Sequence, residues 1–152
     1  MNFRKAIAAL ACVATSTASL ACKPSDLEHE IALRQNSAAL ENEQIRELVA
    51  WHTLWQARKS GATQGIGEIG IFANAVKGNS TSNVLARQRI DNVTRLIKTG
   101  DENPAPIHWA VFPLKAGSPL VTATIDQVTV VVQPACVKTN SCCPEPLKGP
   151  QR

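Results

Sequence analysis

Asn83-Val84-Leu85-Ala86-Arg87-Gln88-Arg89-Ile90-Asp91-Asn92-Val93-Thr94-Arg95-Leu96-Ile97-Lys98, residues 83–98, is the stretch that decides the fold class. Ala86, Ile90, Val93 and Ile97 recur at intervals of three and four, with Leu96 beside them, so one stripe is apolar and the remainder polar. That period predicts an amphipathic helix lying on a core. Arg87/Asp91 and Asp91/Arg95 stand one turn apart on the exposed face, where each can pair. Thr99-Gly100 ends the helix, and the loop Gly78-Asn79-Ser80-Thr81-Ser82 supplies its cap.

Downstream, beyond Asn103-Pro104-Ala105-Pro106, the period changes to two. Ile107-His108-Trp109-Ala110-Val111-Phe112 is apolar on both faces, which predicts a buried strand. Lys115 to Pro119 reads as a turn. Leu120 to Val132, rich in Val, Thr and Ile, reads as a further strand; its alternation changes face at Asp126-Gln127, as a bulge or a tight second turn would produce. Pro134 ends the sheet. A helix followed by these strands predicts an α+β fold in which the helix packs on a small antiparallel sheet.

Upstream, residues 24–60 read as one long amphipathic helix. Ser25 with Glu28 has capping-box spacing, and Leu27, Ile31, Ala38, Ile45, Leu48 and Trp55 recur at three, four and seven. Ser60-Gly61 ends it. Gly65-Ile66-Gly67-Glu68-Ile69-Gly70 reads as a flexible linker or a close contact, and Ile71 to Val76 as a short helix stopped by Gly78. The expected organisation is therefore a leader over 1–21, an N-terminal helix over 22–62, a small α+β domain over 63–134 and a Cys-containing tail over 135–152.

The first residues carry an address. Arg4 and Lys5 precede an uncharged run from Ala6 to Ala21, apolar at first and then small and polar, the layout of a secretory signal peptide. Thr15, Ser16, Thr17 and Ser19 dilute it below the roughly 20 apolar residues a membrane span requires. Ser19-Leu20-Ala21-Cys22 resembles a bacterial lipobox, although Leu stands two rather than three places before the Cys. The resemblance implies that Cys22 becomes a lipidated N-terminus, and Lys23 after it is permissive for transport to the outer membrane. Ordinary cleavage after Ala18 or Ala21 is the alternative, and it leads to a secreted or periplasmic protein.

The chain has 152 residues and a formal charge of +4, with 44% apolar and 4% aromatic residues. One domain fits this length. Loss of Arg4 and Lys5 with the leader leaves a near-neutral chain, which argues against a nucleic-acid partner. Five Cys are present. Cys12 leaves with the leader. If Cys22 is lipidated, Cys136, Cys142 and Cys143 form an odd set with one bridge; if it is not, two bridges become available.

The chemical motifs are weak. Residues 65–70 spell G-x-G-x-x-G but follow a predicted helix, not the strand a dinucleotide loop requires. His29-Glu30 opens an H-E-x-x-H pattern that fails at Leu33, and no His adjoins the tail Cys, so no metal site is expected. His108 with Asp101 is the least unattractive catalytic pairing. Asn79-Ser80-Thr81 and Asn92-Val93-Thr94 match glycan acceptors, which have meaning only in a glycosylating pathway. Trp51 and Trp55, one turn apart beside Arg58 and Lys59, either anchor the long helix by packing or form a partner-facing patch. The expectation is a non-enzymatic envelope protein with no cofactor. It is held to the membrane by lipid on Cys22 and works by binding an envelope protein, as an adaptor or accessory subunit of an envelope or secretion assembly. The alternative is a small secreted inhibitor or effector stapled by disulfides.

Overall fold

The computed structural model describes residues 26–58 and 64–142. The leader, Cys22, Lys59 and Cys143 lie outside the described residues. The described residues form a mixed α+β fold with four strands and four helices in the order β1 (Glu28–Ala32), α1 (Asn42–Ala57), β2 (Ile66–Val76), α2 (Ser80–Thr99), β3 (Ile107–Leu114), α3 (Pro119–Thr124), β4 (Gln127–Pro134) and α4 (Cys136–Thr139). The sheet order is β1-β4-β2-β3. Strand β4 runs antiparallel to both β1 and β2, whereas β2 and β3 are parallel.

Helix α2 forms as its period predicts. It buries Ala86, Ile90, Val93 and Ile97, and Arg89 with them. Its start lies three residues earlier than the apolar stripe suggests, because Asn79 is the cap: Ser82 N donates to Asn79 Oδ1 at 3.0 Å. The expected Arg87/Asp91 and Asp91/Arg95 pairs are not made. Arg87 Nε donates instead to Asn83 Oδ1, and Asp91 forms no ion pair with a described residue.

The expected antiparallel pairing of 107–112 with 120–132 is absent. Helix α2 crosses over so that β3 lies parallel to β2, and Pro119 starts α3, where the fixed φ and missing N–H of proline suit a first helical turn. Asp126-Gln127 is then the junction between α3 and β4. Strand β3 is an edge, not a buried strand. Ile69 N donates to Pro106 O and Lys77 N to Leu114 O, so residues 108, 110, 112 and 114 turn their backbone groups to β2 while 107, 109, 111 and 113 face outward. Pro113, whose missing N–H would face outward, is tolerated there for that reason.

Residues 24–60 do not form one helix. His29 and Ile31 alternate with Glu28 and Glu30, and that period of two pairs β1 with β4, Ile31 opposite Val128. Asn36, at φ 57°, turns the chain in the left-handed region. Helix α1 begins only after Glu41, whose N–H donates to Gln44 Oε1 at 2.8 Å, and Gln44 Nε2 reaches back to Ala32 O. Residues 66–76 are likewise neither linker nor helix. Ile69, Ile71, Ala73 and Ala75 alternate onto the core as β2. The expected boundary at 62/63 falls inside one unit, since Ile31, Leu33 and Leu48 share a core with Ile69, Ile71, Ile90, Val93, Val128 and Val130. The core lies between one face of the sheet and helices α1 and α2.

Candidate binding surface

The second face of the sheet carries the even-numbered residues of β2 and β3. On it the Phe72 ring lies over Gly70: a Cβ at position 70 would come within 2.7 Å of that ring, so the ring keeps this position only over a glycine. Phe112, half exposed, tilts against Phe72 with ring centroids 5.6 Å apart. Ala110 stands beside Phe72 across the β2–β3 pair, and Val131 of β4 beside Gly70. These residues make an aromatic shelf with no helix α1 or α2 above it.

Its ends are polar. At one end Asn74 Nδ2 donates to Thr124 Oγ1 at 2.9 Å, which docks α3. At the other, Glu68 lies 3.0 Å from Lys138 Nζ of α4 and 3.7 Å from His108 Nε2. The Lys138 hydrogen bond, followed by its charge, holds the Glu68 carboxyl below its ordinary value. Helix α4 can come this close because position 67 is glycine: a Cβ there would meet Ala135 Cα at 2.9 Å. The Gly-rich segment therefore serves a close contact, and since it lies at the start of β2 and not in the turn that leads from β2 into α2, it offers no pyrophosphate cradle. The tail bends back under the Cys136–Cys142 disulfide, with Cα atoms 4.8 Å apart.

The other sequence candidates disperse. His108 pairs with Glu68 and not with Asp101, and it is well exposed. His52 is buried in α1, and its Nε2 has no hydrogen-bond partner among the described residues; desolvation lowers its pKa, opposed by the charge of Asp101. Trp55 is 1% exposed, and both Trp51 Nε1 and Trp55 Nε1 donate to Asp26 O, at 3.0 and 2.8 Å. Arg58 stacks on the Trp55 ring at 4.4 Å and lies 3.9 Å from Asp26 Oδ2. Trp55 and Arg58 thus clamp the entry to β1, which leaves no indole face of Trp55 for a partner. Phe72 and Phe112 stand in an i, i+2 relation to Gly70 and Ala110, which places them on one face only when 66–76 is a strand; a helix over Ile71–Val76 hides that signal. Among the described residues no group of three or more His, Cys, Asp or Glu can hold a metal ion. No described helix is long and apolar enough to cross a membrane.

No family model matches the chain, and no curated protein matches it. Among solved structures, the periplasmic domain of Helicobacter pylori MotB (residues 78-256) superposes with a TM-score of 0.50 at 11% identity, over 75% of this chain and 82% of that one. The likeness is one of fold. A second structure of the periplasmic domain of MotB (residues 64-256) gives 0.46 at 8% identity, over 74% of this chain and 67% of that one.

Proposed function

We propose that this chain is a lipid-anchored cell-envelope protein that works by binding, as an accessory subunit or adaptor on the outer membrane, and is not an enzyme. The observation that carries binding is the Phe72–Phe112 shelf, two aromatic rings on the sheet face that α1 and α2 leave open, between the Glu68/His108/Lys138 cluster and α3. Aromatic groups in such a setting give large contact area at low entropic cost. The leader and the lipobox-like Ser19-Leu20-Ala21-Cys22 support the anchor, and a fold shared with a periplasmic domain supports the compartment by analogy. Only five residues separate Cys22 from β1. Acyl chains on Cys22 would therefore hold the sheet within about 20 Å of the bilayer, at roughly 3.5 Å per residue.

The disulfide between Cys136 and Cys142 suits an oxidising compartment under either reading of the leader. In the secreted alternative Cys22 would be free to bridge Cys143. The test is fractionation of cells producing the full chain or its Cys22→Ala variant. The wild type should enter the membrane fraction and leave it only with detergent, whereas Cys22→Ala should be soluble or retain its leader. A wild-type protein recovered wholly in the soluble fraction would refute the anchor. Phe72→Ser with Phe112→Ser should abolish co-purification of envelope partners cross-linked to the wild type without altering the fold; unchanged co-purification would refute the shelf.

A further inference from the structure

We propose that two copies of this chain pair through the β3 edge, antiparallel about a two-fold axis at Trp109, to make one continuous eight-stranded sheet. This rests on β3 itself and is independent of the anchor at Cys22. Among the described residues the outward N–H and C=O groups of Ile107, Trp109 and Val111 have no strand beside them, because β3 is the end of the sheet order. Natural edges are commonly blunted by charge, proline or brevity. This one runs for eight residues, carries no Lys, Arg, Asp or Glu, and has its single proline near the end.

The position of Pro113 selects the register. With Trp109 opposite Trp109 of the second copy, Ile107 faces Val111 and Val111 faces Ile107, and each pair exchanges both backbone bonds. Pro113 then falls beyond the ladder, so its missing N–H costs nothing. A shift toward the C-terminus would bring Pro113 into a bonding position.

Charge complementarity argues for a second copy over any other occupant. Trp109, 52% exposed, faces the helix side, where it shares a recess with Arg87, Ile90 and Asp91, and the Arg87 guanidinium lies 5.9 Å from its ring centroid. Arg87 and Asp91 are one helical turn apart at the level of Trp109. A two-fold axis there runs the two α2 helices antiparallel on the same side of the joined sheet, so that Arg87 of each copy faces Asp91 of the other. The acid that finds no ion pair among the described residues of its own chain gains one. Phe112 stays on the opposite face, and the two shelves become parts of one surface, in keeping with isologous two-fold assembly.

Register-specific cross-linking in the intact chain, produced in an oxidising envelope, tests this against the parent with its own cysteines. Trp109→Cys should give a covalent dimer on a non-reducing gel. So should Ile107→Cys combined with Val111→Cys, which keeps Trp109, whereas Val111→Cys alone should not exceed the parent. In sedimentation, the wild type should show twice the monomer mass, and Val111→Pro, which removes an outward N–H without touching the β2 pairing, should be monomeric while keeping the wild-type circular dichroism spectrum; its melting temperature should fall, since it loses both the dimer and the Val111 core contact. A wild-type monomer, no dimer from either cysteine design, or equal dimer from Val111→Cys alone would overturn the proposal. A wild type that stays monomeric while an extended peptide protects β3 amides would assign the edge to a different partner and overturn it equally.

Discussion

Arg89 and Asp126 form an ion pair, Nη2 to Oδ1 at 2.8 Å, in which the arginine side chain is 2% exposed and the carboxylate 34%. Three further N–H groups of the same guanidinium donate to backbone carbonyls. Nε reaches Ser37 O at 2.8 Å, Nη1 Ile125 O at 2.7 Å and Nη2 also Arg34 O at 3.1 Å. One side chain on α2 thus fixes the loop between β1 and α1 and the junction between α3 and β4. Three carbonyls and an acid converge there, which a planar five-donor fork can satisfy and a lysine cannot.

Arg89→Met should therefore destabilise the fold by about 3 kcal/mol, because it leaves buried acceptors without donors; the partial exposure of Asp126 keeps the loss toward the lower end of the range for a broken buried pair. Arg89→Lys should recover little of it. Urea unfolding of the variants checks both, and a loss below about 1 kcal/mol would mean that water replaces the fork.

The apolar stripe of α2 was legible because its period is helical from Ala86 to Ile97, and the same reading had no way to see that Arg89 shares the buried face. Nothing in a single helix indicates that carbonyls from residues 34, 37 and 125 will meet it. Residues 27–57 misled for a different reason. Leu27, Ile31, Ala38, Ile45, Leu48 and Trp55 fit a helical spacing across a break at Asn36, whereas the local alternation His29, Ile31, Leu33 is the true strand signal. Pro113 and Pro119 carried the correction for the second half, one marking an edge strand and the other a helix start. The aromatic shelf was hidden by the reading of Ile71–Val76 as a helix, which scatters Phe72 away from Gly70.

Glycines 67 and 70 should differ in their tolerance of alanine. A Cβ at 67 meets the backbone of Ala135, which is held by its N–H to Gly65 O at 3.0 Å, whereas a Cβ at 70 meets only the Phe72 ring. Gly67→Ala should cost about 2–3 kcal/mol and Gly70→Ala about 1 kcal/mol. Gly70→Ala should nonetheless move the Phe72 ring and weaken partner binding. Thermal melts paired with a binding assay separate the two effects, and equal stability losses would contradict the geometry.

Acid should weaken the fold through His52 and His29. Burial lowers both pKa values, offset in part by Asp101 for His52 and by Glu47 for His29. The unfolded chain then binds more protons than the folded one below the ordinary value of 6.5, so stability is full above it and falls as pH drops toward the depressed folded values. His52→Leu should flatten part of that slope between about pH 7 and 5. Melting temperatures across that range provide the check, and a wild-type slope unchanged by the substitution would remove His52 from the explanation.

Reduction of Cys136–Cys142 should loosen the tail and leave the sheet intact. The bridge closes a short loop, with a sequence separation of 6, for which chain entropy suggests about 2 kcal/mol. Under reductant, amide exchange should rise at Ser141 and Ala135, which bond to Cys136 O and Gly65 O, and stay slow at Val130. Global unfolding on reduction would show that the staple carries more than the tail.

Attachment to the membrane at Cys22 is tested most directly by the mass of the N-terminal peptide of the protein purified from membranes without reduction. A mature chain beginning at Cys22 with the added mass of two or three acyl chains is the expected result. An unmodified Cys22, or one recovered in a disulfide with Cys143, would contradict the lipid anchor and place the protein among secreted disulfide-stabilised chains.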